Sequence, residues 1–182
     1  MTTIMTEWGG IVLFIALLAG SALSIVYWSL RNGISPMPTS PAAKRCLISL
    51  LPSQLEGSIY ELGSGWGTLL FPLAEKYPHC KAIGVENSHI PFWASKTLLR
   101  FKRLKNVVLL RKDLFDVPLN DARLVVCYLF PGAMTKLKVK FEQELSPGTW
   151  VISNTFAVPG WTPVAAVDTG DLYRSKIYLY KR

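Results

Sequence analysis

The chain reads as an open α/β fold, a parallel sheet with helices on both faces that ends in an antiparallel hairpin and is preceded by one apolar helix. Three observations predict it. Short apolar runs alternate with longer amphipathic stretches between residues 58 and 155, the pattern of βα units joined by right-handed crossovers. The first run ends in a glycine-rich turn, Glu61-Leu62-Gly63-Ser64-Gly65-Trp66-Gly67. An uncharged stretch from Trp8 to Leu30 precedes them all.

That stretch, WGGIVLFIALLAGSALSIVYWSL, exceeds the ~20 residues a helix needs to cross a hydrocarbon core. Trp8 and Trp28 stand near its ends, as in an interfacial aromatic belt. A cleaved signal peptide is the rival reading, since Ala-Gly-Ser-Ala-Leu-Ser offers small residues. Signal peptides open with positive charge, however, and this chain opens MTTIMTEW, with Glu7 and no Lys or Arg. Residues 1–31 are therefore assigned to a retained transmembrane anchor. Arg31, Lys44 and Arg45 follow it, so the positive-inside rule puts the N-terminus outside and the rest of the chain on the cytoplasmic or matrix-equivalent side of a single-pass protein.

Residues 32–41, NGISPMPTSP, are punctuated by glycine and proline and form a linker. Residues 42–182 form the folded domain. Thr39 or Ser40 caps a helix beginning near Pro41, whose apolar face is Ala42, Cys46, Leu47, Leu50 and Leu51. The expected order is then strand 58–62, helix 68–77, strand 81–86, helix 89–103, strand 106–111, strand 122–129, helix 132–145 and strand 148–155. A short strand near Val164–Val167 and another at Tyr173–Tyr180, with no helix between them, make the final hairpin. Strand order is not derivable from periodicity.

Glycine accepts positive φ and has no side chain, so a strand can turn sharply into a helix while its backbone passes close to a ligand. The dinucleotide fingerprint G-x-G-x-x-G sets its helix against a pyrophosphate. Here Gly63, Gly65 and Gly67 alternate instead, and Glu61 precedes them by two. A dinucleotide site stays open as an alternative that this spacing opposes. Lys81-Ala82-Ile83-Gly84-Val85-Glu86 ends in an acid roughly 20 residues past the glycines, where a carboxylate accepts both hydroxyls of a ribose.

The net charge is +8 and it is concentrated. Lys96, Arg100, Lys102, Arg103, Lys105, Arg111 and Lys112 follow one another without an intervening acid. Such a face is solvated, meets RNA, or lies on anionic headgroups; beside a membrane anchor, lipid is the simplest partner. Cys46, Cys80 and Cys127 are widely spaced, with only His79 and His89 as imidazoles, which reads as neither a metal site nor a disulfide framework.

The Glu61-to-Gly67 loop resembles the E/D-x-G-x-G-x-G signature of class I S-adenosylmethionine-dependent methyltransferases. That resemblance implies a Rossmann-like class I methyltransferase sheet, S-adenosyl-L-methionine as cofactor, and Glu61 near its cationic methionine end. Arg111-Lys112-Asp113-Leu114-Phe115 resembles the segment whose acid meets the adenine amino group, a role that falls to Asp113. The span, the linker Pro36-Met37-Pro38-Thr39-Ser40-Pro41, Tyr128-Leu129-Phe130-Pro131 and Phe156-Ala157-Val158-Pro159-Gly160-Trp161-Thr162-Pro163 narrow the likeness. Over roughly residues 10–180 the chain resembles the small membrane-anchored protein-lysine methyltransferases of the ATP synthase c subunit and adenine nucleotide translocase type, and their prokaryotic relatives. In that family the linker folds over the cofactor, which implies a hydroxyl contact from Thr39 or Ser40; a plain helix cap is the competing role. Two departures weaken any transfer of a particular target: the loop acid is Glu61 where Asp is common, and Trp66 stands where a second acid is usual.

Methyl transfer from a sulfonium is an in-line displacement, so a protein mainly aligns donor and acceptor. A lysine acceptor must be neutral, and burial in an apolar channel favours that state. Tyr128, Phe130 and Trp161 are the expected channel lining, with core packing as the competing role of all three. No general base is evident, and no Asn/Asp-Pro-Pro-Tyr/Phe sequence is present, which disfavours nucleic acid. The expected function is a membrane-tethered methyltransferase acting on lysines of a membrane-associated protein. The alternatives are a lipid or small hydrophobic metabolite as acceptor, or a non-catalytic assembly factor with a retained fold.

Overall fold

The computed structural model describes residues 2–33, 35, 37–171 and 175–182. Ile34 and Pro36 of the linker, and Tyr173 and Arg174 at the expected start of the last strand, lie outside the described residues.

One seven-stranded sheet organises the chain in the order β3-β2-β1-β4-β5-β7-β6. Its strands are β1 (Ser58–Leu62), β2 (Lys81–Val85), β3 (Val107–Leu110), β4 (Ala122–Cys127), β5 (Trp150–Asn154), β6 (Ala165–Asp168) and β7 (Lys176–Lys181). The first five pair in parallel, and β7 runs antiparallel between β5 and β6. This is the class I methyltransferase sheet expected above, hairpin included. Strand order reverses between β1 and β4, and the crevice beyond the carboxyl ends of strands at such a switch point is where open α/β sheets bind ligands.

Five helices accompany the sheet among the described residues: α1 (Thr2–Asn32), α2 (Pro41–Leu50), α3 (Leu70–Lys76), α4 (His89–Lys102) and α5 (Pro131–Glu144). Side chains alternate across each strand, so the sheet has two apolar faces. On one, Ala43 and Leu47 of α2 and Leu73 of α3 pack on Ile59, Leu124, Val126 and Ile152, while Leu70 and Phe71 of α3, with Leu99 of α4, cover Ala82 and Val107. On the other, Met134, Leu137 and Phe141 of α5 pack on Tyr60, Leu62, Val125 and Val151. β1 is buried along its whole length, as a central parallel strand must be.

The element ends follow local chemistry. Ser40 caps α2, its Oγ accepting the Ala43 N–H at 3.1 Å, with Pro41 in the first turn. α4 stops where Arg103 turns left-handed at φ 55°, and that residue's N–H closes onto the Leu99 carbonyl. β4 ends at Cys127, two residues short of the expected Leu129, because Phe130 and Pro131 already open α5.

α1 stands apart from the core. Its stretch Trp8–Asn32 has mean hydropathy 2.4 and none of it is buried within the protein. It is long and apolar enough to cross a bilayer. Its C-terminal end packs against α4, where the Trp28 ring lies 5.5 Å from that of His89.

Phe141 is fully buried between α5 and the sheet. Phe141→Ala is expected to cost about 3–5 kcal/mol, read as a lower midpoint in denaturant unfolding with an unchanged slope.

Candidate active site at the carboxyl end of the sheet

β2 organises the glycine loop. The N–H groups of Gly63 and Ser64 both donate to the Val85 carbonyl at 2.9 Å, so the loop leaves β1 tied to the end of its neighbour. Gly63, Gly65 and Gly67 have φ values of +74°, +51° and +76°, which explains the alternating glycines. The next residue of β2's exit, Glu86, is buried and bidentate: one oxygen accepts the Gly65 N–H at 2.8 Å and the other the Ser88 N–H at 2.7 Å.

A cavity of about 280 Å³ opens above these residues. Glu61, Gly63, Gly65, Glu86 and Asp113 line it, as do Thr39, Tyr128 and Phe130. These eight residues were singled out by the sequence and are brought together. Asp113 also caps a short 3-10 turn, its Oδ1 accepting the Phe115 N–H at 3.0 Å.

Three expected residues are placed elsewhere. Ser40 is engaged as the α2 cap and by a 3.2 Å bond from its hydroxyl to Asp171 Oδ2; of the two linker hydroxyls, it is buried Thr39 that faces the cavity. Gly67 is not in the lining, and a Cβ there would stand 2.6 Å from the Phe71 ring, so it is held by helix packing. Trp161 lies against Phe141 and Tyr180, and its Nε1 donates to Glu142 at 3.1 Å. The expected channel lining therefore does not include Trp161, because the turn after β5 folds down over α5 rather than across the strand ends.

Sequence reasoning missed Arg31, Asn32, Lys112 and Lys136, all of which line the cavity. Lys112 stands beside Asp113 in the same segment, a proximity that was legible. Arg31 and Asn32 were assigned to the anchor and linker, and only the packing of α1 against α4 brings them here.

Glu61 is the electrostatic exception. It is fully buried, its Oε2 has no hydrogen-bond partner, and neither has the nearby Ser64 Oγ. Burial pushes its pKa well above the ordinary 4.5, the Leu70 backbone N–H pulls back by less, and the Glu86 carboxylate adds the smallest push upward. A buried carboxylate with an orphaned oxygen facing a cavity suits a cationic ligand group. Apolar Leu114 and Phe115 beside the Asp113 carboxylate suit a polar-edged planar ring. No phosphate-sized cluster of N–H groups is left open at the loop, because the Gly63, Ser64 and Gly65 N–H groups are already taken. The lining thus fits S-adenosylmethionine, a cationic nucleoside without phosphate.

Sheet order, the loop and this cavity define a class I S-adenosylmethionine-dependent methyltransferase. Comparison with known proteins agrees and goes further: the ANTKMT methyltransferase domain model matches residues 61–165, so the chain belongs to that family. It is 29% identical over 147 residues to a protein-lysine N-methyltransferase of Saccharolobus islandicus, covering 79% of this chain and 91% of that protein. It is 34% identical over 125 residues to the adenine nucleotide translocase lysine N-methyltransferase of Mus musculus, covering 68% of this chain and 54% of that one. Among solved structures, an RNA methyltransferase from Salinibacter ruber in complex with S-adenosyl-L-homocysteine superposes with a TM-score of 0.71 at 25% identity, covering 80% of this chain and 93% of that one.

The two glycines are expected to separate on mutation. Gly67→Ala forces a methyl into the Phe71 ring and is expected to cost about 1–3 kcal/mol of stability. Gly65 has open space around it, so Gly65→Ala costs about 1 kcal/mol of backbone strain and should act mainly on cofactor affinity. Unfolding midpoints set beside calorimetric Kd values check the pair.

Glu61 gives a pH prediction. Its folded pKa lies above its unfolded one, so the folded apo protein holds that proton more tightly and loses stability as pH rises from about 4.5 through the raised value. A cation bound beside it reverses the shift, so affinity for S-adenosylmethionine should rise with pH over the same window. Glu61→Gln should raise the apo melting temperature at neutral pH, flatten the pH dependence of Kd, and weaken binding about 10-fold or more. Identical pH profiles in the two proteins would remove Glu61 from the cofactor site.

Proposed function

We propose that the protein is a membrane-tethered protein-lysine N-methyltransferase whose acceptor is a lysine of a membrane-associated protein. The observation that carries this reading is the position of Arg31 and Asn32 in the cavity wall. A helix rises ~1.5 Å per residue, so Trp8–Leu30 extends roughly 34 Å, close to the ~30 Å thickness of a hydrocarbon core. The residues that follow it stand at headgroup level, and the cavity stands with them. An acceptor presented at the bilayer surface meets the cavity there; a substrate deep in the aqueous phase gains nothing from the arrangement. The names of the two curated relatives, both lysine methyltransferases and one acting on a translocase, support the same reading.

In this reading Glu86 accepts the ribose hydroxyls, Glu61 faces the cationic methionine end, Asp113 takes the adenine amino group, and the linker covers the site through Thr39. Bound S-adenosylmethionine supplies the electrophilic methyl group. The chain's own work is alignment and exclusion of water. Tyr128 and Phe130, at the end of β4, border the acceptor side, where apolar walls favour a neutral lysine amine. Among the lining residues there is no histidine, so the amine enters already deprotonated or loses its proton to solvent. The exposed face of α4 completes the membrane side. Trp93 and Phe101 are 53% and 78% exposed, Lys96 Nζ sits 4.8 Å from the Trp93 ring, and Arg100 follows, a pairing of apolar and basic groups that suits anionic headgroups. The tethered domain lies on the side that the positive-inside rule assigns to Arg31, Lys44 and Arg45.

Full-length protein incubated with native membranes and methyl-labelled S-adenosylmethionine tests the reading, with Glu86→Ala as control. Label should appear in protein, yield methyl-lysine on hydrolysis, and vanish in the variant. Label in the lipid fraction points to a lipid or hydrophobic metabolite, and label in RNA to a nucleic-acid acceptor; either outcome rejects the lysine reading. Tyr128→Ala should lower kcat about 10-fold or more through lost alignment while cofactor Kd stays within twofold.

A further inference from the structure

The end of the apolar helix is fastened to the loop that carries the cavity's bidentate acid. Asn32, the last residue of α1, donates from Nδ2 to Asn87 Oδ1 at 2.9 Å and to Ser88 Oγ at 3.1 Å. Asn87 Nδ2 returns a bond to Asn32 Oδ1 at 3.0 Å. The two carboxamides are thus paired edge to edge, and both hydrogens of the Asn32 amide are used. Residues 87 and 88 directly follow Glu86, whose carboxylate accepts the Ser88 N–H at 2.7 Å and the Gly65 N–H at 2.8 Å. A continuous hydrogen-bonded path runs from the helix end, through Asn87 and Ser88, to Glu86 and the glycine loop.

One residue further, Gly33 turns left-handed at φ +69°, and a Cβ there would stand 2.9 Å from the tip of the Phe130 ring. The chain leaving α1 therefore presses on the acceptor side as well. Another contact docks α1 outside this hydrogen-bonded path: the Trp28 ring lies 5.5 Å from that of His89.

We propose that Asn32 is a positioning residue for methyl transfer: its amide holds the Asn87–Ser88 segment, and through it the Glu86 carboxylate, in the geometry that binds the cofactor. The apolar helix is then more than a tether. The amide pair at its end sets how well the site binds S-adenosylmethionine, so a chain that keeps the helix docked but lacks this pair binds cofactor poorly even when the domain is folded. This inference rests on the assignment of Glu86 to the cofactor.

The test uses the full chain in lipid nanodiscs. Asn32→Ala and Asn87→Ala are each expected to raise the KM for S-adenosylmethionine and the Kd for S-adenosylhomocysteine about fivefold, with kcat within twofold. The double variant should be no weaker than the weaker single one, because each deletion breaks the same pair. Trp28→Ala, which removes a docking contact but none of the path, should lower the melting temperature and leave KM unchanged. Ser88→Ala enters the network from the folded domain and should raise KM about twofold to threefold, so the proposal stands or falls on it and on Asn87→Ala even if Asn32→Ala does not fold. Unchanged KM in these variants, additive losses in the double variant, or an equal rise in Trp28→Ala would overturn the clamp. Glu86→Ala measured alongside keeps the two assignments separate: normal cofactor binding by that variant rejects the role of Glu86, whereas normal binding by Asn32→Ala and Asn87→Ala rejects the clamp alone.

Discussion

The site depends on the Val85 carbonyl. In a parallel sheet the last carbonyl of a strand normally faces water or a loop, but here it accepts two consecutive N–H groups, from Gly63 and Ser64. Those two hydrogen bonds fix where the glycine loop leaves the sheet, and Glu86, the next residue, captures the Gly65 N–H from the other side. Three loop N–H groups are thereby satisfied within the protein. A phosphate-binding loop keeps such groups open for its ligand; this one spends them on holding two acids beside a cavity. The preference for a cationic, phosphate-free nucleoside over a dinucleotide follows from that allocation, and it is a stronger discriminator than the spacing of the glycines.

The same allocation explains the stress on Glu61. β1 is buried on both faces because β2 and β4 flank it and helices cover it, so a carboxylate near its end is one whose charged form burial disfavours. Without a ligand the group holds its proton more tightly than an exposed carboxyl does; with a cation beside it the charged form is favoured. A site of this kind gives up stability in the empty state in exchange for discrimination, since an anionic ligand, or one without a donor, has nothing to offer the orphaned oxygen.

Much of this was legible in the sequence, for a physical reason. β1, β2 and β4 are apolar runs bounded by turn residues, and Glu61, Glu86 and Asp113 stand at or just beyond strand ends, where a parallel sheet must put its ligand-facing groups. What was not legible depends on long-range packing. Trp161 sits in a Pro-Gly turn that looks like a rim of the site, yet its indole is drawn to Glu142 on α5 and to the Tyr180 ring. Ser40 and Thr39 are neighbours of equal chemistry, and only the start of α2 decides which one caps and which one faces the cavity. Asn32 and Asn87 are 55 residues apart, and no periodicity signals that two isolated amides will meet.

The pairing of those amides bears on how the proposed one-helix tether would relate to the chemistry beside it. A flexible linker would let the domain swing at any height above a bilayer, with effective concentration set by linker length. Here the helix continues to Asn32 and is bonded to the domain at its last residue, so little slack remains between span and site. A membrane crossing by α1 would then fix the height of the cavity as well as its location, and the exposed Trp93 and Phe101 on α4 would limit its tilt. Under the proposed function, selectivity would come in part from depth: the acceptor nitrogen would have to reach a cavity whose wall begins within one residue of the hydrocarbon edge. Recognition by height would demand few side-chain contacts to the acceptor sequence, in keeping with the short set Tyr128, Leu129 and Phe130 that the proposal puts on the acceptor side of the lining.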